Sequence, residues 1–161
     1  MAEAINTHGT GLLIDDTGLL LRGPSGAGKS LLALELMDWA EIHGRKALLV
    51  SDDRVDLRDT AQGLRMAAPD AIAGLIELRG RGIVRRPFVR ECGLDLVIDL
   101  VDALERMPEE DALEIEICGW RVARCPVPRR GIVDAGHQRL LVAEAIAAVS
   151  DNDRTTRQER T

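Results

Sequence analysis

The stretch that decides the fold is Gly23-Pro24-Ser25-Gly26-Ala27-Gly28-Lys29-Ser30, written GPSGAGKS. It matches the phosphate-binding pattern G-x-x-x-x-G-K-[ST]. Each part meets a demand of phosphate binding. The glycines let the backbone wrap closely, so that its N–H groups can turn inward toward phosphate oxygens. A helix beginning at Ser30 adds the positive end of its dipole. Lys29 is a compact cation that reaches the outer phosphates. Ser30 offers a hydroxyl to Mg²⁺. All eight residues are candidate nucleotide ligands. The pattern points to nucleotide binding and is silent on the reaction.

The flanking sequence supplies the expected scaffold. Leu12 to Leu21 is apolar around Asp15-Asp16-Thr17-Gly18 and reads as strand, turn, strand. After the cradle, Leu31, Leu34, Met37 and Ile42 recur at helical spacing, and Gly44 ends that helix. Ala47 to Val50 reads as a buried parallel strand. Val55–Leu57 and Leu64–Ala67 form a hairpin pattern around Thr60 to Gly63. Pro69 to Leu78 reads as a short helix, and Gly80 to Arg90 as irregular. Leu94 to Val101 is a buried strand. Ala112–Ile117 and Trp120–Val127 read as a second hairpin through Gly119, and Gln138 to Val149 as a helix. Ser150 to Thr161 is polar and reads as a flexible tail. The expectation is an α/β fold: a single P-loop domain over residues 1–149, with a mixed β-sheet and flanking helices, followed by the tail at 150–161.

The totals narrow the function classes. The 161 residues suit one domain, and 45% hydrophobic content suits one core. Net charge is −6, so bulk electrostatics does not favour nucleic acid or a membrane surface. No apolar run is long enough to span a bilayer. The start, MAEAINTHGT, lacks the pattern of a secretory signal. Cys92, Cys118 and Cys125 form no C-x-x-C pair, which suits free thiols in a reducing cytoplasm.

A P-loop needs a carboxylate near its phosphates. Asp52 and Asp53 follow the strand Ala47–Val50, where the ligands of a parallel sheet gather. Extended backbone would send them to opposite sides, so only one would face the reacting centre. Glu77, in Glu77-Leu78-Arg79-Gly80-Arg81-Gly82, is either a solvated helix end or a second carboxylate near Mg²⁺. His8, in Thr7-His8-Gly9-Thr10, is either a structural histidine or a catalytic one.

Taken in order, HGTGLLI, GPSGAGKS, SDDRVDL, IELRGRGI and CPVPRRGIVDAGH resemble the HPr kinase/phosphorylase family, specifically its catalytic C-terminal domain. The resemblance runs from His8 to about Val149. It implies a nucleotide site like that of phosphoenolpyruvate carboxykinase. It implies ATP- and Mg²⁺-dependent phosphorylation of a serine of the phosphocarrier HPr, with pyrophosphate or inorganic phosphate as possible co-substrates and phosphorolysis as the reverse reaction. A homo-oligomer, a hexamer in the family, and a cytoplasmic location are also implied. Residue by residue, Asp53 is similar to the catalytic Asp, Lys29 to the charge-stabilising Lys, His8 to the active-site His, and Arg106 to a late active-site Arg. Ser30 and Glu77 would hold Mg²⁺.

The sequence departs from the family in three places. It starts almost at the catalytic domain, so a short form lacking the usual N-terminal domain is expected. After Gly82 an arginine-rich stretch, Ile83 to Glu91, replaces a glycine-rich one. In the late loop Val127 to His137, Gly136-His137-Gln138 stands where the family has a basic residue followed by Gly-Arg-Asn. Arg129 and Arg130 are either substitutes for that residue or a solvated pair. Two other functions stay open on these residues: a nucleotide-binding regulatory module with weak or no catalysis, and a small-metabolite P-loop kinase.

Overall fold

Side-chain alternation along the central strands sets the layers. The computed structural model describes residues 3–158. In β3 (Thr17–Arg22), Leu19 and Leu21 enter one core while Leu20 enters another. In β10 (Leu96–Val101), Leu96, Ile98 and Leu100 join the first core and Val97 the second. A strand with apolar residues on both faces must be covered on both. These strands belong to a six-stranded sheet that also contains β2 (Thr10–Ile14), β4 (Ala47–Ser51), β11 (Glu114–Ile117) and β12 (Trp120–Pro128), in the order β11-β12-β10-β3-β2-β4. Helices α1 (Lys29–Ile42) and α2 (Ala135–Gln158) pack on one face through Leu32, Leu36, Val142 and Ile146. A second sheet covers the other face. Its strands are β1 (Ile5–His8), β5 (Arg54–Thr60), β6 (Gly63–Ala67) and β9 (Glu91–Gly93), and Val55, Leu57, Leu64 and Met66 supply its inward face. The mixed α/β architecture is as expected, but both helices lie on one side.

Strand direction assembles the site. β10 pairs parallel with β3 and with β12. β2 pairs antiparallel with both β3 and β4. β4 was expected in a parallel ladder and is not in one, yet an antiparallel strand on either side of β2 must run the same way as the other. The C-terminal ends of β3, β4, β10 and β12 therefore share one edge of the sheet. The N-terminal end of β2, which follows His8 and Gly9, lies there too.

Other expectations need correction. Residues 69–78 are not a helix. Only Asp70–Ile72 makes a 3₁₀ turn; Gly74, at φ +75°, breaks the path, and β7 (Leu75–Leu78) follows. The adjoining segment, expected to be irregular from Gly80 to Arg90, is so only in part, because β8 (Gly82–Arg85) pairs antiparallel with β7. Leu31 and Ile42 do not belong to the buried face of α1 and are 38% and 73% exposed. That face is Leu32, Ala33, Leu36, Met37 and Ala40 with Leu34. Helix α2 starts earlier than expected, because the Asp134 carboxylate accepts from the His137 N–H at 2.8 Å as an N-cap. It also continues past Val149 to Gln158. Positions 159–161 of the expected tail lie outside the described residues.

Candidate functional site

The loop between β3 and α1 turns tightly, with the Ala27 N–H donating to the Pro24 carbonyl at 3.0 Å. Gly26 and Gly28 adopt φ of +81° and +96°, conformations that side chains disfavour. Lys29 Nζ donates to the carbonyls of Gly23 at 2.8 Å and Pro24 at 3.1 Å. Burial lowers the Lys29 pKa from its ordinary value, against the opposing charges of Asp53 and Asp52. Ser25 to Ser30 line a cleft of about 740 Å³, which His8, Thr10, Asp52, Asp53 and Glu77 also line.

Asp52 is the hub of the cleft. It is 9% exposed. One carboxylate oxygen accepts from Ser30 Oγ at 2.7 Å and from Thr10 Oγ1 at 3.0 Å. The other accepts from the Glu77 N–H at 3.1 Å. One side chain thus ties β4 to β2, to the first turn of α1 and to β7. Asp53 does not point away, as extended backbone would require. Its φ is +69°, a strained value for a non-glycine residue and one that recurs at functional sites. The fold over-determines that conformation. The Gly9 N–H donates to the Asp53 carbonyl at 3.0 Å, the Arg54 N–H donates to the Asp52 carbonyl at 2.9 Å, and Ser51 Oγ donates to the Arg54 carbonyl. Both carboxylates therefore line the cleft. Asp53 Oδ1 lies 2.7 Å from His8 Nε2, and both side chains are open to solvent, at 69% and 49% exposed.

Most of the residues singled out from sequence are thereby brought together. Arg106 is not: it is exposed in the segment after β10 and does not line the cleft. Thr10, fully buried, was missed; its only sign in the sequence was its place in HGTG. Arg129 and Arg130 do line the cleft, held by Asp102 at 2.7 Å and Glu35 at 3.2 Å. Leu31, Ile72, Leu75 and Ile83 form an apolar wall. Among the described residues no cluster of three His, Cys, Asp or Glu could hold a metal alone. The Ser30 hydroxyl and the Asp52 and Glu77 carboxylates are hard oxygen donors. That set suits Mg²⁺, which takes one or two protein oxygens and completes its shell with water and substrate phosphates.

Comparison with known proteins shows which family the chain resembles. The model of the family described as "HPr Serine kinase C-terminal domain" matches residues 1–159. The HPr kinase/phosphorylase of Caldicellulosiruptor bescii is 36% identical over 143 residues, which cover 81% of this chain and 44% of that protein. The HPr kinase/phosphorylase of Leptothrix cholodnii is 35% identical over 158 residues, covering 89% and 45%. The chain thus spans less than half the length of these relatives. The solved structure of the HPr(Ser) kinase/phosphatase from Coxiella burnetii superposes with a TM-score of 0.75 at 27% identity, covering 98% of this chain and 99% of that one.

Proposed function

The chain belongs to the HPr serine kinase C-terminal domain family, and on that premise we propose that it is an ATP-dependent protein-serine kinase acting on an HPr-type phosphocarrier. Residues 1–149 would be the catalytic unit. The observation that carries the reading is the His8–Asp53 pair, which faces the phosphate cradle across one cleft. A regulatory nucleotide-binding module would have no need of a strained carboxylate held there.

The chemistry follows from the placement. ATP lies with its phosphates in the Gly23–Ser30 loop. With its proton on Nε2, His8 donates to Asp53 and orients the carboxylate. Asp53 accepts the proton of the attacking seryl hydroxyl. The serine oxygen bonds to the γ-phosphorus as the bond to the β–γ bridging oxygen breaks, and ADP departs. Lys29 stabilises the charge on the transferring group. Ser30, Asp52 and Glu77 would hold Mg²⁺, which supplies charge neutralisation on the phosphates when bound.

The reverse reaction uses the same groups. A protonated Asp53 returns its proton to the departing serine oxygen while inorganic phosphate attacks, and pyrophosphate forms. Arg129 and Arg130 line the cleft but are paired with Asp102 and Glu35, so either would have to leave its partner to hold the second anion. A hexameric assembly and a cytoplasmic location are part of the same reading. No helix of the described residues is long and apolar enough to cross a membrane.

The test is Asp53→Asn. Phosphoryl transfer to HPr should fall at least about 100-fold, the low end of general-base catalysis, with ATP affinity within a few-fold of wild type. An Asp53→Asn variant that transfers at the wild-type rate would remove Asp53 as the base.

A further inference from the structure

β10 grips the root of the phosphate cradle from both faces of the sheet. Arg22 ends β3 one residue before Gly23, and Asp99 of β10 stands opposite it in the parallel ladder. Arg22 lies on the same face of its strand as Leu20, and Asp99 on the same face as Val97, so both side chains lie on the face away from the helices. There the Arg22 Nε donates to Asp99 Oδ1 at 2.8 Å and its Nη2 to Oδ2 at 2.9 Å. On the helix-covered face Leu100 follows, its Cβ 3.1 Å from the point where a Cβ on Gly23 would sit. The two strands thus meet closely just where the cradle begins.

The grip reaches Lys29. An ammonium has three N–H donors. Two of those on Lys29 go to the carbonyls of Gly23 and Pro24, at 2.8 and 3.1 Å, which leaves one to meet a phosphate oxygen. The direction of that third N–H is set by where the Gly23 carbonyl stands, and Gly23 is the residue directly after Arg22. Arg124 braces the same carboxylate from β12. Its Nε donates to Asp99 Oδ2 at 2.6 Å and its Nη1 to the Ala112 carbonyl at 2.8 Å. A bidentate arginine–carboxylate pair fixes direction as well as distance. A half-buried carboxylate that carries a second arginine has little freedom to turn.

We propose that Arg22 and Asp99 are positioning residues for phosphoryl transfer. The carboxylate aims the guanidinium, the guanidinium holds the start of the cradle, and the Gly23 carbonyl so held aims the Lys29 ammonium at the transferring group. The inference rests on the kinase reading above. Neither Arg22 nor Asp99 lines the cleft, so neither touches phosphate or moves a proton. Lys29 meets the developing charge, and the seryl proton goes to Asp53 as before. A misaimed ammonium is felt most in the transition state, where the charge it faces is greatest.

The test compares Arg22→Gln, Arg22→Lys, Asp99→Asn and Arg124→Gln with wild type, at a temperature where thermal melts show all of them folded. For Arg22→Gln and Asp99→Asn, kcat for transfer to HPr should fall on the order of 10–100-fold, the scale of a misplacement of up to an ångström, while KM for ATP rises less. Arg22→Lys should be intermediate, since it keeps charge without the fork. Arg124→Gln leaves both bonds between Arg22 and Asp99 in place, so it should lose stability and keep kcat within about twofold of wild type. The double variant Arg22→Gln/Asp99→Asn should be no slower than the slower single one, because both act through one contact. An acceptor-independent readout is binding of Mg²⁺–ADP with aluminium fluoride, a mimic of the transferring group. Arg22→Gln should weaken this at least about tenfold more than it weakens binding of a non-hydrolysable ATP analogue. Arg22→Gln and Asp99→Asn variants that lose stability as Arg124→Gln does, yet keep wild-type kcat and wild-type binding of ADP–aluminium fluoride, overturn the positioning role and leave the kinase reading in place. Losses that multiply in the double variant also overturn it. A wild-type protein that binds both nucleotides but transfers no phosphate overturns the kinase reading instead. One that binds neither overturns both.

Discussion

Replacing Asp52 separates the hub's structural task from its electrostatic one. Its carboxylate receives two hydroxyls on one oxygen and a backbone N–H on the other. In Asp52→Asn the amide oxygen can take the position facing the Glu77 N–H. The NH₂ group then faces Thr10 and Ser30, whose hydroxyls can rotate from donating to accepting. All three contacts survive, so the cost to stability should stay below about 1 kcal/mol. Asp52→Ala has no such escape. It strands the Glu77 N–H and leaves both hydroxyls without that partner in a buried setting, at a cost of about 3 kcal/mol. For a domain of this size, 1 kcal/mol moves Tm by about 2–4 °C. Thermal unfolding should therefore show a fall of roughly 6–12 °C for Ala and under about 4 °C for Asn. Both variants lose the negative charge, so both should need more Mg²⁺ to half-saturate nucleotide binding. An Asn variant as destabilised as Ala would refute the hydrogen-bond exchange. An Asn variant with wild-type Mg²⁺ dependence would remove Asp52 from the metal site.

Other consequences are open to direct measurement. A Cβ on Gly18 would lie 1.7 Å from the Gly93 carbonyl oxygen, where β3 meets the end of β9. Gly18→Ala should therefore destabilise by about 3 kcal/mol, read in urea as a lower midpoint. Burial pushes the Cys92 thiol up to about 12 and the Cys125 thiol up to about 11, from an ordinary 9.0. Alkylation of the native protein at pH 8.5 should thus label exposed Cys118 alone, with the other two reacting only after unfolding. Asp99 is half-buried, which would raise its pKa, but hydrogen bonds from Arg22 and Arg124 outweigh this and hold it below its ordinary 3.8. Its contribution to stability is present above that value and lost as pH falls through the lower folded one. In acid titration Asp99→Asn should be less stable than wild type at pH 6, with the gap narrowing below about pH 4.

The parts of the site that depend on local pattern could be read directly. The glycine spacing of residues 23–28 allowed one loop shape, and Asp52-Asp53 followed the next strand. Hairpins were visible where a glycine such as Gly119 separated two β-rich runs. What depends on distant contacts was hidden. Ile72, Leu75 and Ile76 recur at i, i+3 and i+4, the period of a helix. Gly74 at positive φ, packed where Phe88 leaves no room for a Cβ, turns the same residues into the start of a strand. The direction of β4 follows from its pairing with β2, which no local signal encodes. The backbone of Asp53 is strained because residues about 45 positions away, at His8 and Gly9, hold it. Sequence period alone would have turned one of the two aspartates out of the cleft.

The most direct test of the kinase reading uses the purified chain with ATP, Mg²⁺ and HPr, followed by mass spectrometry of HPr. Phosphate on a serine of HPr, absent without ATP and lost with Asp53→Asn, is the predicted result. Unmodified HPr from a protein that binds ATP with measurable affinity would contradict it.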